Sequence, residues 1–432
     1  MIATLLFTAF IVLMFLGVPI GAALGLAGAT AIALANQDAQ WFGLLAVPQN
    51  FYAGLGKYPL LAIPMFVLVG SIFDRSGVAL RLVNFAISIV GRGPGMLPLV
   101  AISVAMFMGG ISGSGPATAA AVGAVMIAAM RRAGYPPAFS ASVVAAAAAT
   151  DILIPPSVAF IVYSVLVSGA SVPALFAAGM FPGVLAGLAL IIPAVWLSRR
   201  HKMGQMEAGM PRPPFWRSLR EAIWGLAAPV VILGGMRMGW FTPTEAAVVA
   251  VFYGLFVGMA VHRTIGVRDL FSILREAGEL SAVILIVVSL AGIFAFSLST
   301  LGVIDPVTRA IVESGLGEAG VMACLLVLLL VMGMFLDGIS IMLIFVPLVM
   351  PLVLHYQWDV VWFGTVLVLT IAIGQFTPPM AVNLMVASKI AQVRMEATTR
   401  WVLWLVLAMT LAMLLVVAFP QIALWLPAKL GY

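Results

Sequence analysis

Apolar runs long enough to cross a bilayer recur from one end of this chain to the other, and that recurrence decides what it can fold into. A span needs about 20 residues, because a hydrocarbon core is ~30 Å thick and a helix rises ~1.5 Å per residue. The candidate runs are 2–34, 59–73, 97–130, 137–170, 174–197, 222–240, 243–262, 281–301, 319–354, 360–391 and 399–427, of which those beginning at 97, 137, 319 and 360 are interrupted. Charged residues are 8% of the chain, against about a quarter in soluble proteins, which leaves too little polar surface to face water. The expectation is an all-α polytopic membrane protein.

Met1 is followed at once by apolar sequence with no basic region before it, so the first segment reads as a retained helix rather than a signal peptide. It is broken near Gly17-Val-Pro19 and reads as one long helix or two short ones. The single cysteine, Cys324, excludes an intramolecular disulfide. The 21 basic against 15 acidic residues fall mostly in short loops, where they act as an orientation signal. The loop 198–221 carries Arg199, Arg200, Lys202, Arg212, Arg217 and Arg220 and is assigned to the cytoplasm, as are the turns at Arg131-Arg132 and at His262-Arg263. The turn His355–Asp359 has no lysine or arginine and is assigned to the outer face. Residues 41–56 and 266–280 read as amphipathic arms along the interface.

The two halves share one order of features. An apolar run meets a glycine-rich break, a second run and a turn, and then an interrupted run with a Pro-Pro pair. The first half has Gly109–Thr118, then Gly134–Pro137, then Thr150–Ser157; the second has Gly333–Ser340, His355–Asp359 and Gly374–Pro379. The Pro pairs lie 223 residues apart (378 − 155), and the same shift carries Tyr135 to Trp358. One hairpin returns to a basic turn and the other to a non-basic turn, which is an inverted structural repeat with two re-entrant helical hairpins and two broken helices, the architecture of secondary transporters.

A Gly/Ser cluster alone often packs helices closely, and Pro-Pro alone often only kinks one; their recurrence in the same order is the informative feature. Backbone groups freed at membrane depth need partners. Pairing each tip with the Pro-Pro break of its own half brings carbonyls and hydroxyls together as a cage suited to a hard cation. Half-helices starting at Pro116, Pro156, Ile341 and Pro379 would aim their positive ends at one point, where a carboxylate is welcome. Asp151 and Asp337 are acids at membrane depth and so functional candidates; a capping role for each stands beside the cation role. Thr242-Pro-Thr-Glu245 reads as a capping box rather than a site. The histidines His201, His262 and His355 lie in loops and form no metal-ligand spacing, and with no Ser-His pairing at depth and no nucleotide loop the chain does not read as an enzyme.

These motifs together resemble the large membrane subunit, the DctM-type permease, of tripartite ATP-independent periplasmic (TRAP) transporters. The resemblance is carried by Leu16–Gly21, Leu60–Gly70, Gly110–Gly115, Ile154–Ser157, Phe335–Ile341 and Thr377–Pro379, in that order over nearly the whole chain. It implies an elevator-type transporter in a bacterial inner membrane, with sodium as coupling ion and no other cofactor. It implies a small four-helix membrane subunit (DctQ-type) and a periplasmic substrate-binding protein (DctP-type) as partners. The substrate would be an organic acid such as a C4-dicarboxylate or a sialic acid. Carried over by motif, one sodium site draws on Ser112, Gly113, Ser114, Thr150, Asp151 and Pro155. The other draws on Asp337, Gly338, Ser340, Gly374, Thr377 and Pro378, and the substrate lies within reach of Ser114, Gly115, Thr118, Ser157 and Asn383. Pro116 and Asp151 depart from the family's pattern.

The implied division is 1–96, scaffold helices with an interfacial arm; 97–173, a first transport repeat of hairpin 97–130 and broken helix 137–170; and 174–318, scaffold with the loop 198–221 and a second arm. A second repeat, 319–395, holds hairpin 319–354 and broken helix 360–391, and 396–432 is a C-terminal helix. A stand-alone cation–carboxylate symporter and a proton-coupled carrier are the alternative readings. The TRAP reading expects both partners as separate polypeptides and little or no transport by this subunit alone, and measurable uptake by it alone in proteoliposomes would overturn that expectation.

Overall fold

A computed structural model describes residues 2–35, 41–91, 93–209 and 211–432. Every regular element among them is helical, as a backbone without water to bond requires. Seven helices are long and apolar enough to cross a membrane, the longest being Val267–Thr300.

The N-terminal segment is two helices, α1 (Ile2–Phe15) and α2 (Ile20–Ala35), with Gly17 turning the chain at φ +81°. A short α3 (Ala46–Leu55) and the crossing helix α4 (Ala62–Arg75) follow, then α5 (Val78–Ile89). The first repeat is α6 (Met96–Ser112), α7 (Gly115–Arg132), α8 (Pro137–Ala149) and α9 (Val158–Leu166). Between the repeats lie α10 (Val172–Arg200), α11 (Phe215–Arg237), α12 (Pro243–Leu255), α13 (Val267–Thr300) and α14 (Ile304–Glu313). The second repeat is α15 (Gly317–Gly333), α16 (Gly338–His355), α17 (Val360–Gly374) and α18 (Val382–Ala391), and the chain ends in α19 (Thr399–Ala418) and α20 (Gln421–Leu430).

The repeats match element by element. The two hairpins are built from helices of 17 and 18 residues in each half. Their open ends are closed at equivalent positions. In the first, the Tyr135 hydroxyl accepts from the Gly95 amide at 2.7 Å; in the second, Trp358 Nε1 donates to Glu318 at 2.8 Å. The shift of 223 relates both pairs (318 − 95 and 358 − 135). Tyr135 stacks on Phe139 and Trp358 on Phe363, with interplanar angles of 12° and 15°. The first closure lies beside Arg131-Arg132 and the second beside a turn without lysine or arginine, so the hairpins enter from opposite faces.

Several expectations are corrected at helix ends. The span expected at 281–301 begins at Val267, and the arm expected at 266–280 is its first half. At ~1.5 Å per residue this helix is about 50 Å long, well beyond a hydrocarbon core. Asp269 accepts from the Gly266 amide at 2.8 Å, and Arg275 pairs with Glu279 at 2.8 Å. These local bonds carry the helix through a charged stretch that the hydropathy pattern reads as its end. The span expected at 222–240 starts earlier, at Phe215. The single C-terminal helix divides at Phe419 and Pro420 into α19 and α20. Helices α5 and α14 went unforeseen because they are short. The capping box at Thr242 and Glu245 is formed.

The scaffold packs through small residues. A Cβ on Gly21 or Gly25 of α2 would press into Val287 or Leu290 of α13, and one on Gly28 would lie 3.0 Å from the Phe294 backbone. On the basic side, Glu207 ties the start of α6 to the turn that follows α7. Its carboxylate accepts from the Leu97 amide at 3.0 Å and the Tyr135 hydroxyl at 2.7 Å. Burial raises the Glu207 pKa above its ordinary value, partly offset by these two donors.

Glu207→Ala leaves a buried amide and hydroxyl without their acceptor and is expected to cost about 1–3 kcal/mol, read as a lower thermal midpoint of the detergent-solubilised protein. Because the folded state holds the Glu207 proton more tightly than the unfolded chain, its contribution is greatest below the ordinary glutamate pKa of about 4.3 and falls as pH rises through the raised value. In Glu207→Gln the midpoint should lose that part of its pH dependence, and an unchanged profile would count against it.

Candidate functional site

The first hairpin turns at Gly113, whose φ of +62° favours glycine. A Cβ there would lie 2.7 Å from the Pro156 carbonyl oxygen and 3.3 Å from Ser157 Cα, so the tip rests directly on the Pro-Pro break of its own half. Asp151 sits beneath this contact with no exposed surface. Its Oδ2 accepts from Thr118 Oγ1 at 2.9 Å and lies 3.5 Å from Ser112 Oγ, while Oδ1 is buried without a hydrogen-bond partner. Gly109 leaves the room for it: a Cβ there would stand 2.9 Å from Oδ1. Two hydroxyls of the break are occupied internally, Thr150 Oγ1 donating to the Ala147 carbonyl at 2.7 Å and Ser157 Oγ to the Ile152 carbonyl at 2.6 Å.

The second tip is capped by its own acid. Asp337 Oδ2 accepts from the Ile339 and Ser340 amides at 3.1 Å each, and Oδ1 accepts from Ser340 Oγ at 2.5 Å. Here too the tip side of the hairpin rests on the break of its half. A Cβ on Gly374 would stand 2.5 Å from Gly333 Cα, and one on Gly338 would meet Ile371 and the Gln375 amide. Thr377 Oγ1 donates to the Ile373 carbonyl at 2.6 Å. The halves meet where Gly115 packs on Asn383 and Gln375: a Cβ on Gly115 would lie 2.8–2.9 Å from both amide side chains. Asn383 is fully buried there, its backbone amide donating to the Gln375 carbonyl at 3.0 Å.

Both tips border one cavity of about 340 Å³. Ser112, Gly113, Ser114 and Gly115 line it from the first half, and Asp337 and Gly338 from the second. Thr118, Thr150, Asp151, Pro155, Ser157, Ser340, Gly374, Thr377, Pro378 and Asn383 are not among its lining residues; those just described stand behind the tips and hold them. The facing wall comes from helices outside both repeats: Val67, Gly70, Ser71 and Asp74 of α4, with Glu276, Leu280 and Ile284 of α13. These wall residues belong to the C-terminal half of α4 and the N-terminal half of α13. Those halves end near the basic turn at His262-Arg263, which places the cavity toward the face assigned to the cytoplasm.

Asp74 and Glu276 are cavity residues that sequence reasoning missed. Asp74 fell one residue past the expected span 59–73, and Glu276 lay in the expected arm. The available signal was helical spacing: Asp74 is four residues beyond Gly70, which packs against Ser112. Arg75 pairs with Glu276 itself at 2.7 Å and donates to Ser272, so it does not reach Asp74, whose Oδ1 is buried without a partner.

Among the described residues no lysine, arginine or histidine lines the cavity, so an anion entering it meets helix ends. The half-helices begin at Gly115, Val158, Gly338 and Val382, within three residues of the expected starts. The first-turn amides of α16 are taken by Asp337. Those of α7 and α9 carry no side-chain cap, and their first residues, Gly115 and Val158, line the cavity while Val382 of α18 does not. The Asp151 carboxylate already stands at the start of α7 through Thr118, so an added anion is favoured chiefly at the start of α9. Among the described residues no three His, Cys, Asp or Glu side chains gather in a metal-binding group, so oxygen ligands for a cation would come chiefly from backbone carbonyls, hydroxyls and single carboxylates.

The family model described as "Tripartite ATP-independent periplasmic transporter, DctM component" matches residues 7–422. The C4-dicarboxylate TRAP transporter large permease protein DctM of Pseudomonas aeruginosa is 36% identical over 94% of this chain and 94% of its own length. The sialic acid TRAP transporter large permease protein SiaM of Vibrio cholerae is 33% identical over 97% of each. The isethionate TRAP transporter permease protein DctMQ of Oleidesulfovibrio alaskensis is 37% identical over 96% of this chain, which spans 64% of that longer protein. Among solved structures, the Alcanivorax borkumensis YdaH transporter shares the fold, with a TM-score of 0.59 and 13% identity over 89% of this chain and 91% of that one.

Gly374→Ala would drive a methyl group into the Gly333 backbone. The expected outcome is a loss of about 1–3 kcal/mol, measured as a lower thermal midpoint, with Gly234→Ala, a position with nothing within 4 Å of the added Cβ, as the tolerated control.

Proposed function

Because this chain belongs to the DctM component family of tripartite ATP-independent periplasmic transporters, we propose that it is the large permease subunit through which an organic acid enters a bacterial cell across the inner membrane, coupled to sodium. In this reading a periplasmic binding protein delivers the substrate and a small membrane subunit pairs with the scaffold. The observation that carries it is the meeting of both hairpin tips at one cavity against a separate scaffold wall. The relatives named for C4-dicarboxylate, sialic acid and isethionate transport are named for organic anions, in keeping with a cavity lined by the uncapped start of α9.

Charge balance supports cation coupling. Asp74, Glu276 and Asp337 line the cavity; Glu276 is already paired with Arg75 at 2.7 Å, which leaves Asp74 and Asp337, and among the described residues no basic side chain lines it. Adding a carboxylate substrate to that set raises the repulsion unless positive charge enters with it. Hydroxyl and carbonyl oxygens around the two breaks suit a hard monovalent cation, and Asp151 Oδ1, buried without a donor, is a ready ligand in the first half. A cation bound between tip and break would hold the tip down, and the Gly115 contact with Asn383 and Gln375 would make the two halves move as one unit past α4 and α13. That sequence of events is an elevator: the cavity changes sides while the wall stays. A second reading, proton coupling, is favoured by one specific observation, the buried and unpartnered oxygens of both Asp74 and Asp151.

The test is uptake of radiolabelled succinate and sialic acid into proteoliposomes holding this chain and its small subunit, with and without the binding protein, under a sodium or a pH gradient. Sodium-driven uptake that needs the binding protein is expected, with Asp151→Asn lowering it at least tenfold while the thermal midpoint in detergent is kept. Uptake that ignores sodium and follows the pH gradient would replace sodium by protons, and sodium-driven uptake without the binding protein would make the chain a stand-alone symporter.

A further inference from the structure

A second large recess lies on the cytoplasmic side of the scaffold, away from the transport cavity. It is a groove of about 870 Å³ between α5, α11 and the end of the π-helical turn Phe256–Val261. Arg81 and Asn84 line it from α5, Arg217, Arg220 and Trp224 from α11, and His262 closes the end. One acid is present, Glu221, and it is already paired with Arg217 at 3.0 Å. Arg220 enters no ion pair among the described residues. Three guanidinium groups against one carboxylate leave the groove with an uncompensated positive charge.

The neighbouring side chains of the same helices are apolar and exposed. Leu80 is 47%, Trp216 78% and Ile223 50% exposed. Such a boundary, with cationic groups and a tryptophan beside bare aliphatic surface, is the composition of the membrane–water interface rather than of open solvent. The groove lies at the start of α11, directly after the segment that joins it to α10, on the side whose leaflet carries anionic lipid. Two of its groups are fixed in place. Arg81 Nη1 donates to the carbonyls of Gly77 at 3.0 Å and Ser76 at 3.4 Å. His262 Nδ1 lies 3.1 Å from the Ser76 carbonyl and Nε2 3.3 Å from that of Glu221. Both ring nitrogens thus face backbone carbonyls of two different elements, which fixes the ring at the end of the groove.

We propose that this groove is a binding site for the headgroup of an anionic phospholipid of the inner leaflet, with the phosphate on Arg81, Arg217 and Arg220 and the acyl chains along Leu80 and Ile223. A free phosphate ion matches the guanidiniums but leaves the apolar rim bare, which is why the lipid is the occupant named. The site touches the chain just past α4 through Ser76 and Gly77, so an occupied groove braces one wall of the transport cavity.

The experiment uses the full chain in detergent, titrated with phosphatidylglycerol, with phosphatidylcholine of the same chain length, or with inorganic phosphate. Binding is read by native mass spectrometry and by the thermal midpoint. Retention of phosphatidylglycerol over phosphatidylcholine is expected, with a rise in midpoint. The double variant Arg217→Gln with Arg220→Gln should weaken phosphatidylglycerol binding by about fivefold for each arginine removed. Arg217→Lys with Arg220→Lys, which keeps the charge, should retain most of it and controls for misfolding. Equal retention of the two lipids, full stabilisation by inorganic phosphate alone, or undiminished binding in the glutamine variant would each overturn the proposal, as would occupation of the groove by the small membrane subunit with no lipid retained.

Discussion

The structure depends on one constraint: inside a bilayer no backbone polar group can be left to water. Four interruptions lie at membrane depth, two hairpin turns and two Pro-Pro breaks, and each creates loose carbonyls and amides. The chain meets this by stacking each turn on the break of its own half. Gly113 against Pro156 and Gly333 against Gly374 are contacts at which a single methyl group would collide with backbone. Glycine there is a condition for two irregular segments to complete one another. The same closeness concentrates oxygen atoms at two points, around Asp151, Thr118 and Ser112 in the first half and around Asp337 and Ser340 in the second.

Much of this was legible in the sequence because the signals were periodic or repeated. The inverted repeat could be read from a constant shift of 223 residues, and that shift relates the closures Tyr135–Gly95 and Trp358–Glu318. The Gly17 break, the capping box at Thr242 and the packing of each tip on its own break follow from the same residue types that announced them. What could not be read is equally specific. Hydropathy ends a helix where charge begins, so the first half of α13, held by a local ion pair, looked like a separate arm. For the same reason Asp74 and Glu276 fell outside the expected spans, although both border the cavity. The division of site residues into those that line the cavity and those that stand behind it depends on side-chain direction, which spacing alone does not give.

The two halves are similar in backbone and different in chemistry. Asp151 is buried, reaches Thr118 and has a bare oxygen, whereas Asp337 is spent on the first turn of its own helix. A pseudo-symmetric fold thus carries one acid with a free ligand position and one without. If both breaks hold cations, they do so with unequal ligand fields, and the uncapped start of α9 leaves the first half better placed to meet negative charge.

The hairpin closures differ in what they join. Trp358 bonds to Glu318 at the base of its own hairpin. Tyr135, by contrast, is shared with Glu207, which also holds Leu97, so the first hairpin is moored to the segment that follows α10. The closure of the first hairpin is therefore a three-point knot that ties the start of α6 and the turn after α7 to a segment outside the repeat. Among the described residues the closure of the second is a single bond between the two ends of its own hairpin, so loosening Glu207 would slacken one closure and leave the other untouched.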